Sequence, residues 1–227
     1  MKAAAVGAAL LGVLVHAATA AALAAAPRVV SVGGAVTEIV CELGAASWLA
    51  AVDTTSTFPR EVMPLPKVGY QRTLAAEGIV ALAPTLILAS ADAGPPATLQ
   101  QLQTAGIRLV RMRPEHSFEA MLANVRLTAE ALGLEQQGRA LAQRLDEDWK
   151  ATQASIVRNG KAPRVVFVLS HAASSVQVAG VGTAADTMIR LAGGVNALQG
   201  FEGYRPLSTE AIVAAAPDVI LATREGI

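Results

Sequence analysis

The chain has two tyrosines, Tyr70 and Tyr204, and each follows a glycine and has an arginine close behind it: Gly69-Tyr70-Gln71-Arg72 and Gly203-Tyr204-Arg205. A phenol either donates a hydrogen bond or, once ionised, offers a hard anionic oxygen to a metal; ionisation ordinarily occurs near pH 10 and is favoured by a neighbouring cation. Arg72 and Arg205 could supply that cation, or hold a ligand carboxylate in the planar guanidinium fork. Lys67 is a weaker candidate, because an ammonium binds as a point charge. Two glutamates, Glu77 and Glu210, stand at the starts of helical patterns, where the helix dipole stabilises a carboxylate. Other chemistry is sparse. One cysteine, Cys41, excludes an internal disulfide framework and any multi-cysteine metal site. No G-x-S-x-G, P-loop or H-E-x-x-H motif occurs, and Gly33-Gly34 lacks the spacing of a dinucleotide turn. Asp146, Glu147 and Asp148 read as a solvated helix face, and Trp48 and Trp149 as packing residues.

These residues must be positioned by the elements around them. The chain has 227 residues, with 18 Lys+Arg balancing 18 Asp+Glu, which argues against a basic nucleic-acid binder. Part of its 53% hydrophobic content is N-terminal. Met1-Lys2 precedes an apolar run from Ala3 to Val15, followed by Ala18-Thr19-Ala20 and Ala24-Ala25-Ala26. This reads as a secretory signal peptide over residues 1–26, cut after Ala20 or Ala26, with His16 leaving alongside it. The alternative, an N-terminal membrane anchor, suits so short and Ala-rich a run less well.

From residue 27 onward, short β-rich runs alternate with helical patterns. Strands are expected at Arg28–Val32, Ala50–Asp53, Thr85–Ala89 and Ile107–Arg111, with helices at Val36–Leu43, Thr73–Ala83 and Ala97–Ala105. That alternation implies a parallel α/β sheet. Ser117–Gly160 breaks the rhythm with helix formers and no proline; Gly133 divides it into two helices, and His116 before it reads as a capping or surface histidine. A strand at Arg164–Leu169 restarts the alternation.

The second half repeats the first. Arg28-Val29-Val30 returns as Arg164-Val165-Val166, and the Gly69–Glu77 string returns as Gly203–Glu210. Pro84 and Pro217 each lie seven positions after the glutamate. The architecture implied is α/β: a lobe over residues 27–116, a helical connector over 117–160 and a second lobe over 161–227. Each lobe is a Rossmann-like unit with a parallel sheet, and the two are joined by a long helix. Ligands sit at the carboxyl ends of such strands. Both tyrosines would then lie in loops before helices, on opposite walls of one cleft.

The string from Lys67 to Ile79 resembles the haem-site loop of periplasmic haem-binding proteins that serve bacterial ABC haem importers. Phe201–Ala211 resembles the matching segment of their second lobe. Phe167-Val168-Leu169-Ser170-His171 is similar to a segment that carries a second iron ligand in some members. The resemblance implies a non-enzymatic receptor for ferric haem, with haem as transported ligand, Tyr70 as the iron ligand and His171 either a second ligand or a helix cap. Arg72, Gln71, Lys67 and Arg205 would serve the propionates or the pocket, and Tyr204 would border the macrocycle. Glu77 and Glu210 would meet arginines on the two subunits of an ABC-transporter permease dimer in the inner membrane. The protein would be a periplasmic monomer. Cobalamin and ferric-siderophore receptors share this plan and remain the alternative. An exported enzyme would need a nucleophile–base pair that the sequence does not offer. The duplicated plan also predicts a further helix–strand unit after Leu221, so the second lobe reads as incomplete.

Overall fold

A computed structural model describes residues 27–114, 117–156, 160–170, 176–206 and 208–223. The expected leader, His16, His116 and His171 lie outside the described residues. The first sheet contains β1 (Val29–Val32), β2 (Leu49–Val52), β3 (Leu86–Ala89) and β4 (Arg108–Arg111), in the order β2-β1-β3-β4 with every pair parallel. β1 and β3 are buried along their whole length, as central parallel strands covered on both faces must be. Their side chains alternate between two cores. Val29, Leu86 and Leu88 pack with Val36 and Val40 of α1 (Gly34–Glu42). Val30, Val32, Ile87 and Ala89 pack on the other face with Ile79 of α2 (Ala76–Val80) and with Leu99 and Leu102 of α3 (Pro96–Thr104).

The helix expected from Thr73 starts only at Ala76. The chain before it is held extended: Leu74 N–H donates to Gly94 O (2.9 Å), Thr98 Oγ1 donates to Leu74 O (3.1 Å), and Ala75 has φ −112°. These tertiary hydrogen bonds replace the first helical turn.

The connector forms two helices, α4 (Phe118–Leu132) and α5 (Glu135–Ser155). Ser117 caps α4 by accepting from Ala120 N–H, and Gly133 ends it in the left-handed conformation with φ 72°. α5 runs 21 residues, about 31 Å at the usual rise. It folds back along α4, so that Phe118 and Trp149 stack at 4.8 Å. Both helices pack on Ile39 of α1 and on Leu43 just after it, and Arg144 pairs with Glu42 across 2.5 Å. The link between the lobes is thus a helical hairpin seated on the first lobe, rather than a lone rod.

The second sheet departs from the expected parallel arrangement. β5 (Arg164–Ser170) pairs in parallel with β7 (Val195–Asn196) and with β9 (Val219–Ala222), but antiparallel with β6 (Val176–Ala179). β6 pairs antiparallel with β8 (Tyr204–Pro206). Only residues 171–175 separate β5 from β6, fewer than the dozen or so a parallel crossover needs. Helices α6 (Ala184–Leu191) and α7 (Thr209–Ala215) complete the described part of this lobe. Among the described residues β9 pairs with β5 alone, and Val219, Ile220 and Leu221 are exposed.

The duplication extends to atomic detail. The Arg28 guanidinium donates to Leu82 O at the end of α2, and that of Arg164 donates to Ala215 O at the end of α7. The residues that follow, Ala83 and Ala216, have φ 45° and 42°, and each precedes a proline. No other described residue except glycine has a positive φ.

Where α4 and α5 cross, a Cβ built on Gly138 would lie 2.3 Å from the Cβ of Ala129. Gly138→Ala gains up to about 1 kcal/mol of helix propensity, whereas overpacking costs ~1–3 kcal/mol. The close approach should dominate. Urea unfolding is expected to show a net loss of stability; a gain would mean that the hairpin is looser than described.

Candidate functional site

The carboxyl ends of the first-lobe strands form one wall of a cleft of about 500 Å³. Gly33 and Gly34 follow β1, Ser90 to Asp92 follow β3, and Arg113 and Pro114 follow β4; all line the cleft. Gln71 and Arg72 join them from the loop between β2 and α2. The second lobe contributes Gly182, Thr183 and Ala184 at the start of α6, with Gly203 and Tyr204 at the start of β8. The cleft therefore lies between the lobes, at the strand ends where such sheets bind ligands, and its size is that of a small-molecule site.

The wall is held from beneath by Asp53, fully shielded from solvent. Its carboxylate accepts from Gly33 N–H (2.9 Å), Thr55 N–H (3.1 Å), Thr55 Oγ1 (2.7 Å) and Ser56 Oγ (2.7 Å). Because Ser56 donates its one hydroxyl proton to Asp53, Thr37 must donate to Ser56 (2.7 Å), and Ser31 in turn to Thr37 (2.8 Å). Thr55 Oγ1 also accepts from Gly34 N–H at 3.1 Å. Glycine is required at position 33: φ is 108°, and a Cβ would meet the Cβ of Ser90 at 2.8 Å.

The Tyr70 loop is clasped on two sides. Val68 N–H donates to Val52 O and Thr54 N–H to Gly69 O, which ties the loop to the edge of β2. Gly94 N–H donates to Gln71 O, and Thr73 N–H closes a turn onto Tyr70 O. Tyr70 itself is 42% exposed, beside the lining pair Gln71–Arg72 rather than in the lining. Gln71 Oε1 accepts from Ser90 Oγ at 2.6 Å. Arg72 donates to Asp92 Oδ2 at 2.6 Å, and this hydrogen bond, with the charges of Asp92 and then Tyr70, raises the guanidinium pKa further above its usual value.

The sequence candidates thus divide. Gln71, Arg72 and Tyr204 meet at one cleft, with Tyr70 at its edge. Tyr204 lies in strand β8 and not in the expected loop. Alternation along that strand sends Arg205 to the opposite face, where its guanidinium sits 4.9 Å over the Phe201 ring. Arg205 is absent from the lining. Lys67 is turned the other way, donating to the carbonyls of Ser56 (3.2 Å) and Val62 (3.4 Å). Asp53, Asp92 and Arg113 did not stand out in the sequence: Asp53 reaches Gly33 and Asp92 reaches Arg72 across 20 residues each, and Arg113 reaches Asn124 across 11.

Glu77 and Glu210 are both exposed, each in the first turn of its helix, α2 or α7. Ser208 caps α7 and donates to Glu210 Oε2 at 2.7 Å, which together with a backbone hydrogen bond holds that carboxyl below its usual range. Burial and then the charges of Glu61, Glu42 and Glu38 push the Cys41 thiol up to about 11. Among the described residues no acidic, histidine or cysteine cluster could hold a metal ion, and no helix is long and apolar enough to cross a membrane.

Comparison with known proteins agrees with this architecture. The sequence pattern of a family described as "Periplasmic binding protein" matches residues 29–226. The solved structure of the periplasmic haem-binding protein BhuT in complex with two haems superposes with a TM-score of 0.85 at 46% identity, covering 88% of this chain and 78% of that one. The periplasmic haem-binding protein RhuT from Roseiflexus sp. RS-1 superposes with a TM-score of 0.85 at 39% identity, with the same coverage. Among curated proteins, the uncharacterized ABC transporter substrate-binding lipoprotein YvrC of Bacillus subtilis is 28% identical over 204 residues, 86% of this chain. The chain spans 63% of the length of that relative.

Replacing Asp53 with alanine strands the donors of Gly33, Thr55 and Ser56 in a dry environment. Asp53→Ala is expected to lose ~2–4 kcal/mol of unfolding free energy, the scale for breaking a buried network around a charge. Denaturant titration measures it, and a loss below about 0.5 kcal/mol, that of an ordinary surface change, would contradict the network.

Proposed function

The chain belongs to the periplasmic binding protein family, and from that premise we propose that it is an exported receptor that captures ferric haem between its lobes and delivers it to an ABC permease. The observation that carries this reading is the clasped Gly69-Tyr70-Gln71-Arg72 loop, which holds an accessible phenol beside a guanidinium at the edge of an interlobe cleft. A phenolate is a hard donor matched to ferric iron, and tyrosine serves as an axial haem ligand. Tyr70 is assigned the iron, Arg72 the support of the phenolate, and Gln71 the pocket wall. Tyr204, 40% exposed on the opposing lobe, borders the macrocycle. His171 is assigned as a second ligand, to the same iron or to that of a second haem, on the resemblance of its segment. Lys67 and Arg205 would have to turn away from their present contacts to reach a propionate. The relatives described as haem-binding, at 46% and 39% identity, support haem over cobalamin or a ferric siderophore as the cargo.

A haemin titration followed by absorbance tests the assignment. The wild-type protein should give a ferric spectrum with a phenolate-to-iron band. Tyr70→Phe should lose that band and bind at least about tenfold more weakly, equivalent to 1.4 kcal/mol. Tyr70→Phe protein with an unchanged spectrum and affinity would sink it, and displacement of haemin by equimolar cobalamin would favour the alternative cargo.

Glu77 and Glu210, one per lobe, are assigned to docking on the two permease subunits. Their placement as exposed carboxylates at repeat-related positions suits a two-fold partner bearing cations. In reconstituted transport assays, Glu77→Ala and Glu210→Ala should each reduce haem-dependent ATPase stimulation, and the double variant should abolish it. Full stimulation by the double variant would refute docking through these residues.

A further inference from the structure

Resting on the haem reading above, we infer that Arg113, not Arg72, is the principal anchor for the carboxylate of the bound tetrapyrrole. Three charged side chains of the described residues line the cleft: Arg72, Asp92 and Arg113. They are not equivalent. Arg72 already holds Asp92 at 2.6 Å, with both side chains well exposed to water. A ligand carboxylate arriving at Arg72 would exchange one carboxylate for another, and an exposed exchange of like for like changes the free energy little. No carboxylate among the described residues pairs with Arg113. A ligand carboxylate there forms a new charge-assisted, two-pronged hydrogen bond and displaces no carboxylate of the described residues.

The backbone beneath Arg113 is prepared for such a load. Asn124 of α4, entirely buried, donates through Nδ2 to Arg113 O and accepts at Oδ1 from Arg113 N–H, both at 2.9 Å. This two-point clamp takes over where the β4 ladder ends, one residue after Met112 N–H donates to Ala89 O. Met112 is buried in the core, which fixes the chain on that side as well. The guanidinium is therefore carried from a fixed base on the cleft wall, which lowers the ordering cost of binding. Asp92 acquires a role too: it holds Arg72 in place and withholds its charge from the ligand, which makes it a specificity-setting residue.

The test uses full-length protein with two ligand pairs: haemin against its dimethyl ester, and iron-free protoporphyrin IX against its dimethyl ester. Esterification removes the carboxylate charge and leaves the macrocycle unchanged. The wild-type protein should prefer each diacid. Arg113→Gln should cut the diacid-to-diester affinity ratio about tenfold, the share of one charge-assisted contact, while ester affinity stays within about twofold of wild type. Arg113→Lys should retain part of the ratio. Asp92→Asn, which releases Arg72, should raise the ratio, most strongly at low salt.

The iron-free pair isolates carboxylate recognition from iron ligation. A wild-type preference that persists in full in Arg113→Gln overturns the inference and leaves the haem reading standing. Equal loss of diacid and ester affinity in Arg113→Gln and Arg113→Lys also overturns it, since that pattern marks a structural role. A wild-type protein that binds neither diacid overturns both readings together.

Discussion

A carboxylate without access to water, and with no cationic partner among the described residues, holds the cleft in shape. Asp53 satisfies itself with four donors, and those donors come from the segments that follow β1 and β2. Burying a polar group is costly unless hydrogen bonds replace hydration, so the four donors fix the geometry of the Gly33 turn and of Thr55-Ser56 around Asp53. The wall above inherits that geometry, because Ser90, packed against Gly33, donates to Gln71. The second lobe reaches a related solution by other means. Asp186, on α6, accepts from Gly182 N–H and Asn196 Nδ2, and takes Arg190 as a partly exposed counterion, each at 3.3 Å. In both lobes, then, a buried aspartate pins the glycine turn that faces the cleft.

The duplicated plan explains what is shared and where the halves diverge. An arginine at the start of the central strand satisfies the last carbonyls of the helix that precedes the next strand, and the left-handed alanine before proline turns the chain into that strand. Such a turn costs an alanine on the order of 1 kcal/mol, and the doubled guanidinium contact offsets it in each lobe. Divergence begins where loop length changes. The short link after β5 imposes a hairpin, β6 recruits β8, and a segment that is a clasped loop in the first lobe becomes a strand in the second. Tyr70 and Tyr204 occupy the same place in the repeat but are presented differently, one on a loop and one on a strand. That difference suits unlike roles on the two walls better than paired ligation.

The lobes, the two-helix connector, the Gly133 break and the cleft were legible in the sequence because they rest on periodicity and on a repeat, both local signals. The site was legible only in outline. Gln71, Arg72 and Tyr204, which line the cleft, could be named from a short motif, whereas the Asp53–Gly33 and Arg113–Asn124 contacts join residues distant in sequence. The misplacement of Arg205 has a single cause: reading Gly203-Tyr204-Arg205 as a loop hides the alternation that sends neighbouring side chains to opposite faces. Lys67 lies away from the cleft for a similar reason, since its loop pairs with the edge of β2 and the ammonium finds carbonyls on the near side.

The connector sets how the two walls can move. α4 and α5 are fixed to the first lobe by the apolar contacts with α1 and by the Glu42–Arg144 pair. Near its far end, α5 touches the second lobe through Gln153 Nε2, which donates to Leu191 O at 3.1 Å, while the side chain of Ile156 lies against Gly193. α5 is thus held to the first lobe through its middle turns and, among the described residues, meets the second near its end. Large closure would have to break that last contact, whereas adjustment within the cleft requires only side-chain movement at Arg72, Arg113 and Tyr204. The character of the cleft is therefore set by the charges and rings already in place on its two walls.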